Sequence, residues 1–158
     1  MARKTADEWF AEYGESHQHP HNELIHWICV PVIFFCTLGF TWVIPIPAAL
    51  AEIAPWFTWT LAVIVGVTLF YLRLSPSLSA GLLFFMSLCY VGLVLIDLFA
   101  PWPVLHVCGA AFVAAWVGQF IGHRIEGKKP SFFQDLSFLL IGPAWLMSFI
   151  YRRLGQRY

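Results

Sequence analysis

Lys, Arg, Asp and Glu are absent from residues 24–51, 53–72, 74–96, 98–123 and 136–151 of this chain. A helix needs about 20 apolar residues to cross the ~30 Å hydrocarbon core of a bilayer. Four of the five uncharged stretches meet that requirement. Composition points the same way: 59% of residues are hydrophobic and 11% charged, against roughly 45–50% and about 25% in soluble domains. A soluble chain of this length has too much surface for its volume to hide so much apolar area. Disorder, a coiled coil and an ordinary cytosolic enzyme are excluded. The expected fold is an all-α polytopic membrane bundle built as a single membrane domain, residues 1–158.

Four transmembrane helices are expected, at about 27–44, 56–73, 79–99 and 104–122. Ile44-Pro45-Ile46-Pro47, Ser75-Pro76 and Pro101-Trp102-Pro103 separate them, because proline lacks a backbone donor and discourages helix continuation. The fifth stretch, 136–151, reaches only about 24 Å as a helix and contains Gly142-Pro143. It reads as a C-terminal re-entrant hairpin, since broken backbone at membrane depth is tolerated where protein or a cavity covers it.

With four crossings, all nine basic residues fall on one side: Arg3, Lys4, Arg73, Arg124, Lys128, Lys129, Arg152, Arg153 and Arg157. A fifth crossing would strand the last three. The positive-inside rule then puts both termini in the cytoplasm. Trp42, Trp56, Trp59 and Trp102 gather near the opposite boundary as an aromatic belt. The N-terminal residues are polar and acidic where a signal peptide needs an apolar core. Together these suggest an integral protein of a bacterial inner (plasma) membrane. With nine Lys+Arg balancing nine Asp+Glu, no basic footprint supports nucleic-acid binding. Cys29, Cys36, Cys89 and Cys108 lie within apolar runs without CxxC spacing and read as small buried hydrophobes.

Residues 5–26 form an interfacial helix and a His-rich segment. Thr5 and Glu8 have capping-box spacing, and Trp9, Phe10 and Tyr13 share one face of a helix expected to lie at the membrane surface. Four histidines follow within ten residues: His17, His19, His21 and His26. Pro20 suits the first turn of a new helix, and Asn22 stands one turn before His26. Downstream, Gln119, His123 and Glu126 are spaced i, i+4, i+7, which stacks them on one helix face.

The topology joins the two clusters. His17 to His26 lie where the first span leaves the charged side, and His123 and Glu126 where the fourth returns to it. His106 precedes His123 by about 25 Å of helix and belongs near the other surface. Asp97 lies close to that end and reads as a solvated helix end. Neutral imidazoles converging with a carboxylate make a transition-metal site. The donors suit Fe(II) oxygen chemistry or Zn(II) hydrolysis, and spacing does not choose between them.

Tyr13-x3-His17-x4-Asn22-x3-His26 with Pro31, followed by Gln119-Phe120-Ile121-Gly122-His123-x2-Glu126-x3-Pro130, resembles the Mpo-like family of membrane proteins, over about residues 7 to 151. The tail from Pro130-Ser131-Phe132-Phe133 through Gly142-Pro143 resembles the family's ending, with Ser131 where many members carry Ala. His19 and His21 are outside the pattern. The resemblance implies an iron-dependent dioxygenase that takes a 2-hydroxy fatty acid and O2 to a fatty acid one carbon shorter. It implies Fe(2+) held by His17, His26 and His123, with Glu126 as a fourth ligand or as acceptor for an imidazole N–H. Asn22 and Gln119 would support the metal site or bind substrate. Tyr13, Arg124 and Lys128 (with Lys129) are candidates for contact with substrate, the basic groups through its carboxylate or through lipid phosphates. The acyl tail would lie between spans, where Gly109, Ala110, Ala111, Ala114 and Ala115 permit close packing or a groove. Membrane lipids are expected neighbours, and a homo-oligomer is compatible with the sequence.

The rival readings are a zinc-dependent membrane lipid hydrolase, which would work without oxygen, a non-enzymatic cofactor-binding or proton-handling bundle, and a scaffold in which the histidines are incidental.

Overall fold

The computed structural model describes residues 4–129 and 137–158. Arg3 and the motif segment Pro130 to Leu136 lie outside the described residues. Within them the chain is all helical, with no strand: α1 (Ala6–Gly14), α2 (Pro20–Trp42), α3 (Ala48–Ile53), α4 (Trp59–Leu74), α5 (Pro76–Phe99), α6 (Val104–Glu126) and α7 (Phe138–Arg153). Three of these, α2, α5 and α6, are long and apolar enough to cross a membrane, and α4 is apolar but shorter. The chain is a membrane protein on that evidence.

Local chemistry explains the element ends. Thr5 accepts from the Glu8 amide while Glu8 reaches back to the Thr5 backbone, so the capping box forms at α1. His19 caps α2 and Pro20 takes its first position, where a missing N–H costs nothing. α2 therefore starts seven residues earlier than the expected crossing and carries Asn22 and His26 inside it. Ser75 ends α4 and, through its hydroxyl, caps α5 at Leu78. The expected Ser75-Pro76 loop is thus a one-residue corner. α6 runs on to Glu126, ended by Gly127 at φ 74°, a left-handed conformation that suits glycine.

α2 and α6 form the central antiparallel pair. Their close approach comes from glycines that face the partner helix. A Cβ on Gly118 would stand 2.7 Å from the Cys29 sulfur, one on Gly122 would collide with Asn22 Oδ1, and one on Gly39 would collide with Cys108. Of the small residues expected to allow close packing, Ala115 is buried and Ala111 packs against the core, while the others do not. A Cβ on Gly109 would meet nothing within 4 Å, and Ala110 and Ala114 are exposed. α4 packs on α5 and on α2, with the Thr60 hydroxyl donating to the Leu38 carbonyl at 3.3 Å and accepting from Thr41 at 3.1 Å. Since α2 leads away from the charged end and α5 starts from it, α4 is the element that returns the chain.

The C-terminal stretch departs from expectation. Gly142-Pro143 does not reverse the chain: α7 is one continuous helix through Pro143. Proline removes a hydrogen bond and displaces the preceding carbonyls. Here the Tyr71 hydroxyl donates to the Leu140 carbonyl at 2.8 Å, supplying a partner in that turn from another helix. α7 lies against the charged ends of the bundle. Tyr151 bonds the Ser77 carbonyl at 2.6 Å, and Gly142 sits against Tyr13 and Val30. α1 in turn spends its apolar face on α7. Trp9 meets Phe138 edge-on at 5.4 Å, and Phe10 and Tyr13 are buried. An apolar partner was available within the protein, so this face covers α7 instead of being left for lipid.

Candidate metal centre

Three elements each deliver one histidine. His17 comes from the turn after α1, His26 from the second turn of α2 and His123 from the last turns of α6. Each is at most 5% exposed. Their ring centroids lie 4.1, 4.9 and 5.0 Å apart, and one nitrogen of each falls within 4.8 Å of the others.

Backbone carbonyls fix two of the rings. His17 Nδ1 lies 2.6 Å from the Tyr13 carbonyl, and His26 Nδ1 lies 2.8 Å from the Asn22 carbonyl. A carbonyl only accepts, so each Nδ1 carries its proton. The two Nε2 atoms are left with lone pairs, and they face each other at 2.8 Å. Burial holds the His17 imidazole neutral by pushing it down to about 4, against the Tyr13 carbonyl, which favours the charged form. The approach of two acceptors is unfavourable without a positive centre between them. His123 adds a buried Nδ1 with no hydrogen-bond partner, which is exceptional for a native interior. Buried, neutral, tautomer-fixed imidazoles fit a transition-metal ion. Three imidazole nitrogens occur in both zinc and iron sites, so the donor set does not name the metal.

Glu126 stands close by but outside this trio. Its carboxylate accepts from the backbone amides of Gln18 at 2.9 Å and His19 at 2.7 Å, and from the Asn22 side chain at 3.2 Å. It meets no imidazole N–H, contrary to one expectation, and clamps the His17 turn onto the end of α6. Asn22 joins the same network. Its amide bridges the Ser16 carbonyl at 3.0 Å and Glu126, while its Oδ1 is buried against Gly122.

A cavity of about 350 Å³ opens from the histidines. Tyr13 and Gln119 line its polar end together with the three imidazoles. Gln119 is 5% exposed and lies one turn from His123. Tyr13 stacks on His17 at 4.2 Å and is held by Trp145 and Phe138. Those two aromatics, on α7, were not foreseen, and nothing in their spacing tied them to residues more than a hundred positions earlier. Beyond Gln119 the lining is largely apolar, along α2, α4, α6 and the first turns of α7. Arg124 and Lys128 do not line the cavity. Arg124 is exposed, and Lys128 donates to the Glu15 carbonyl at 2.6 Å. His106 is exposed at the far end, as expected, and His19 and His21 face each other at the surface.

Fold and site define a class: a helical membrane protein with three buried histidines at one end that could hold a metal ion, and an apolar groove leading from them. The comparison with family models narrows this. The family described as 2-hydroxy-palmitic acid dioxygenase Mpo1-like matches residues 3–154, nearly the whole chain, and the protein belongs to that Mpo1-like family. No curated protein and no solved structure matches the chain.

Proposed function

We propose that this protein is an Fe(II)-dependent dioxygenase that shortens 2-hydroxy fatty acids by one carbon. The observation that carries the reading is the facing pair of His17 and His26 Nε2 lone pairs beside His123, at the polar end of an otherwise apolar groove. The family description supports the oxygenase chemistry and the substrate class.

His17, His26 and His123 would hold the ion. Bound there, iron would supply O2 activation and chelation of the 2-hydroxy-carboxylate. The overall change is balanced without a further reductant. The C1–C2 bond breaks, C1 leaves as CO2, C2 becomes the new carboxyl carbon, and O2 is reduced by four electrons, giving one water.

The chain's own residues do the binding and orienting. Gln119 offers an amide to the substrate's carboxylate or hydroxyl. Tyr13 presents its hydroxyl beside Gly142 and keeps His17 in place by stacking. The apolar groove takes the acyl tail and keeps bulk water from the reacting end. Glu126 and Asn22 act through the His17 turn and α2, as positioning residues. Arg124 and Lys128 would act at the surface, on lipid phosphates or on incoming carboxylates.

All described basic residues lie at the site end of the bundle, which supports a topology with that end and both termini in the cytoplasm. In this reading α4 provides the second of four crossings, and α7 lies along the cytoplasmic boundary. The reading keeps a bacterial inner (plasma) membrane as the location, with membrane lipids as neighbours.

The test is turnover of 2-hydroxypalmitate by the purified protein. The reading expects pentadecanoic acid in air and none under strict anaerobiosis. Hydrolysis of a lipid ester without oxygen, restored by zinc alone, would give the site to a hydrolase.

A further inference from the structure

The groove has a definite length. On α2 its lining runs from His26 through Val30 and Phe34 to Leu38, and on α6 from His123 to Phe112. The first stretch rises through twelve residue steps and the second through eleven, about 17–18 Å. That is close to one leaflet's half of the ~30 Å hydrocarbon core, the length of a single membrane acyl chain. The volume, about 350 Å³, sits at the low end of the ~300–1,000 Å³ found for ligand sites, room for one chain and not two.

At the far end the helices pack on one another. Beyond Leu38, the Thr60 hydroxyl ties α4 to α2. Gly39 lets Cys108 press against α2 on the other side, and Phe40 packs on Phe112 at 5.1 Å. Along one side the groove is bounded by α4 and α6, which both pack chiefly on α2, and the seam between them is the way in from the bilayer.

We propose that this groove is a chain-length gauge for a single-chain 2-hydroxy acid, with Val63 and Phe112 as the residues that stop the terminal methyl. The proposal rests on the functional reading above for the identity of the head group. Depth from the histidines to these two residues sets the longest chain that keeps its head at the histidines. Each carbon up to that depth buries one methylene, worth about fourfold in affinity, the equivalent of ~0.8 kcal/mol. Carbons beyond it gain nothing or displace the head.

The test uses the full chain in detergent and a series of saturated 2-hydroxy fatty acids of increasing length, competing for a fluorescent fatty acid so that no turnover is needed. Wild type should gain about fourfold per carbon and then break. Val63→Phe should move the break to shorter chains, and Phe112→Ala should move it to longer ones. The opposite directions separate a gauge from misfolding, and unchanged metal content checks that the centre is intact. The same break in all three proteins, or no binding of any member of the series, overturns the gauge. Shifted breaks without any oxygen-dependent product would leave the gauge standing and remove the dioxygenase reading. Oxygen-dependent turnover with unshifted breaks would do the reverse.

Discussion

The carboxylate of Glu126 holds the backbone amide of His19 at 2.7 Å, across more than a hundred residues of sequence, and takes that of Gln18 at 2.9 Å. These two bonds fix the turn that presents His17 to His26 and His123. Glu126→Ala should therefore weaken metal binding by about 10–100-fold without removing any nitrogen donor, and cost about 1–3 kcal/mol of stability through the orphaned amides. Glu126→Gln keeps a carbonyl oxygen for one amide and should fall between. Metal retained after dialysis against graded chelator measures both. Equal retention in wild type and Glu126→Ala would show that the turn holds itself.

The spacing of α2 and α6 sets the separation of His26 and His123, and Gly122 sets that spacing against Asn22. Gly122→Ala should force the helices apart, cost about 1–3 kcal/mol and loosen the metal. Gly109→Ala, on the same helix with open space at its Cβ, should be neutral or stabilising by about 0.5–1 kcal/mol. Thermal melts and metal content of the two variants, compared side by side, decide this. Similar losses in both would contradict the packing described.

The pH dependence has a definite sign. Burial lowers the His17 imidazole to about 4 in the metal-free fold, against ~6.5 in an unfolded chain. Between those values the unfolded state binds the extra proton, so stability falls as pH drops from about 6.5 to about 4. Metal, which needs the neutral ring, should be released over the same descent. Melts of metal-free protein at stepped pH check the first part, and metal retained at each step checks the second. Stability that rises on acidification would mean that His17 is charged in the fold.

The meeting of the two histidine clusters was legible because two simple regularities place them: helical spacing brings Gln119, His123 and Glu126 to one face, and the basic residues assign both clusters to one end, while the choice of His17 and His26 over His19 and His21 came from the family resemblance. The same reasoning put His106 far away. What it missed depends on partners that leave no pattern in sequence. Glu126 is bound by backbone amides, which every residue carries. Gly142-Pro143 looks like a helix break until Tyr71 supplies a donor to Leu140 from another helix. Arg124 follows His123 directly, and a rotation of about 100° per residue turns it away from the cavity. The aromatic wall of Phe138 and Trp145 exists because α1 docks on α7, a tertiary choice that an amphipathic face alone leaves open.

The claim that His17, His26 and His123 form one metal centre is tested most directly by anaerobic Fe(II) titration of metal-free protein, with binding counted per chain. His123 and His106 are histidines on the same helix, α6, and differ in their place along it. Wild type and His106→Ala should each bind close to one equivalent, with His106→Ala within about 0.5 kcal/mol of wild-type stability. His123→Ala, His17→Ala and His26→Ala should each bind almost none while remaining folded. Binding below a tenth of an equivalent in wild type, or equal loss in His106→Ala and His123→Ala, would contradict the metal centre.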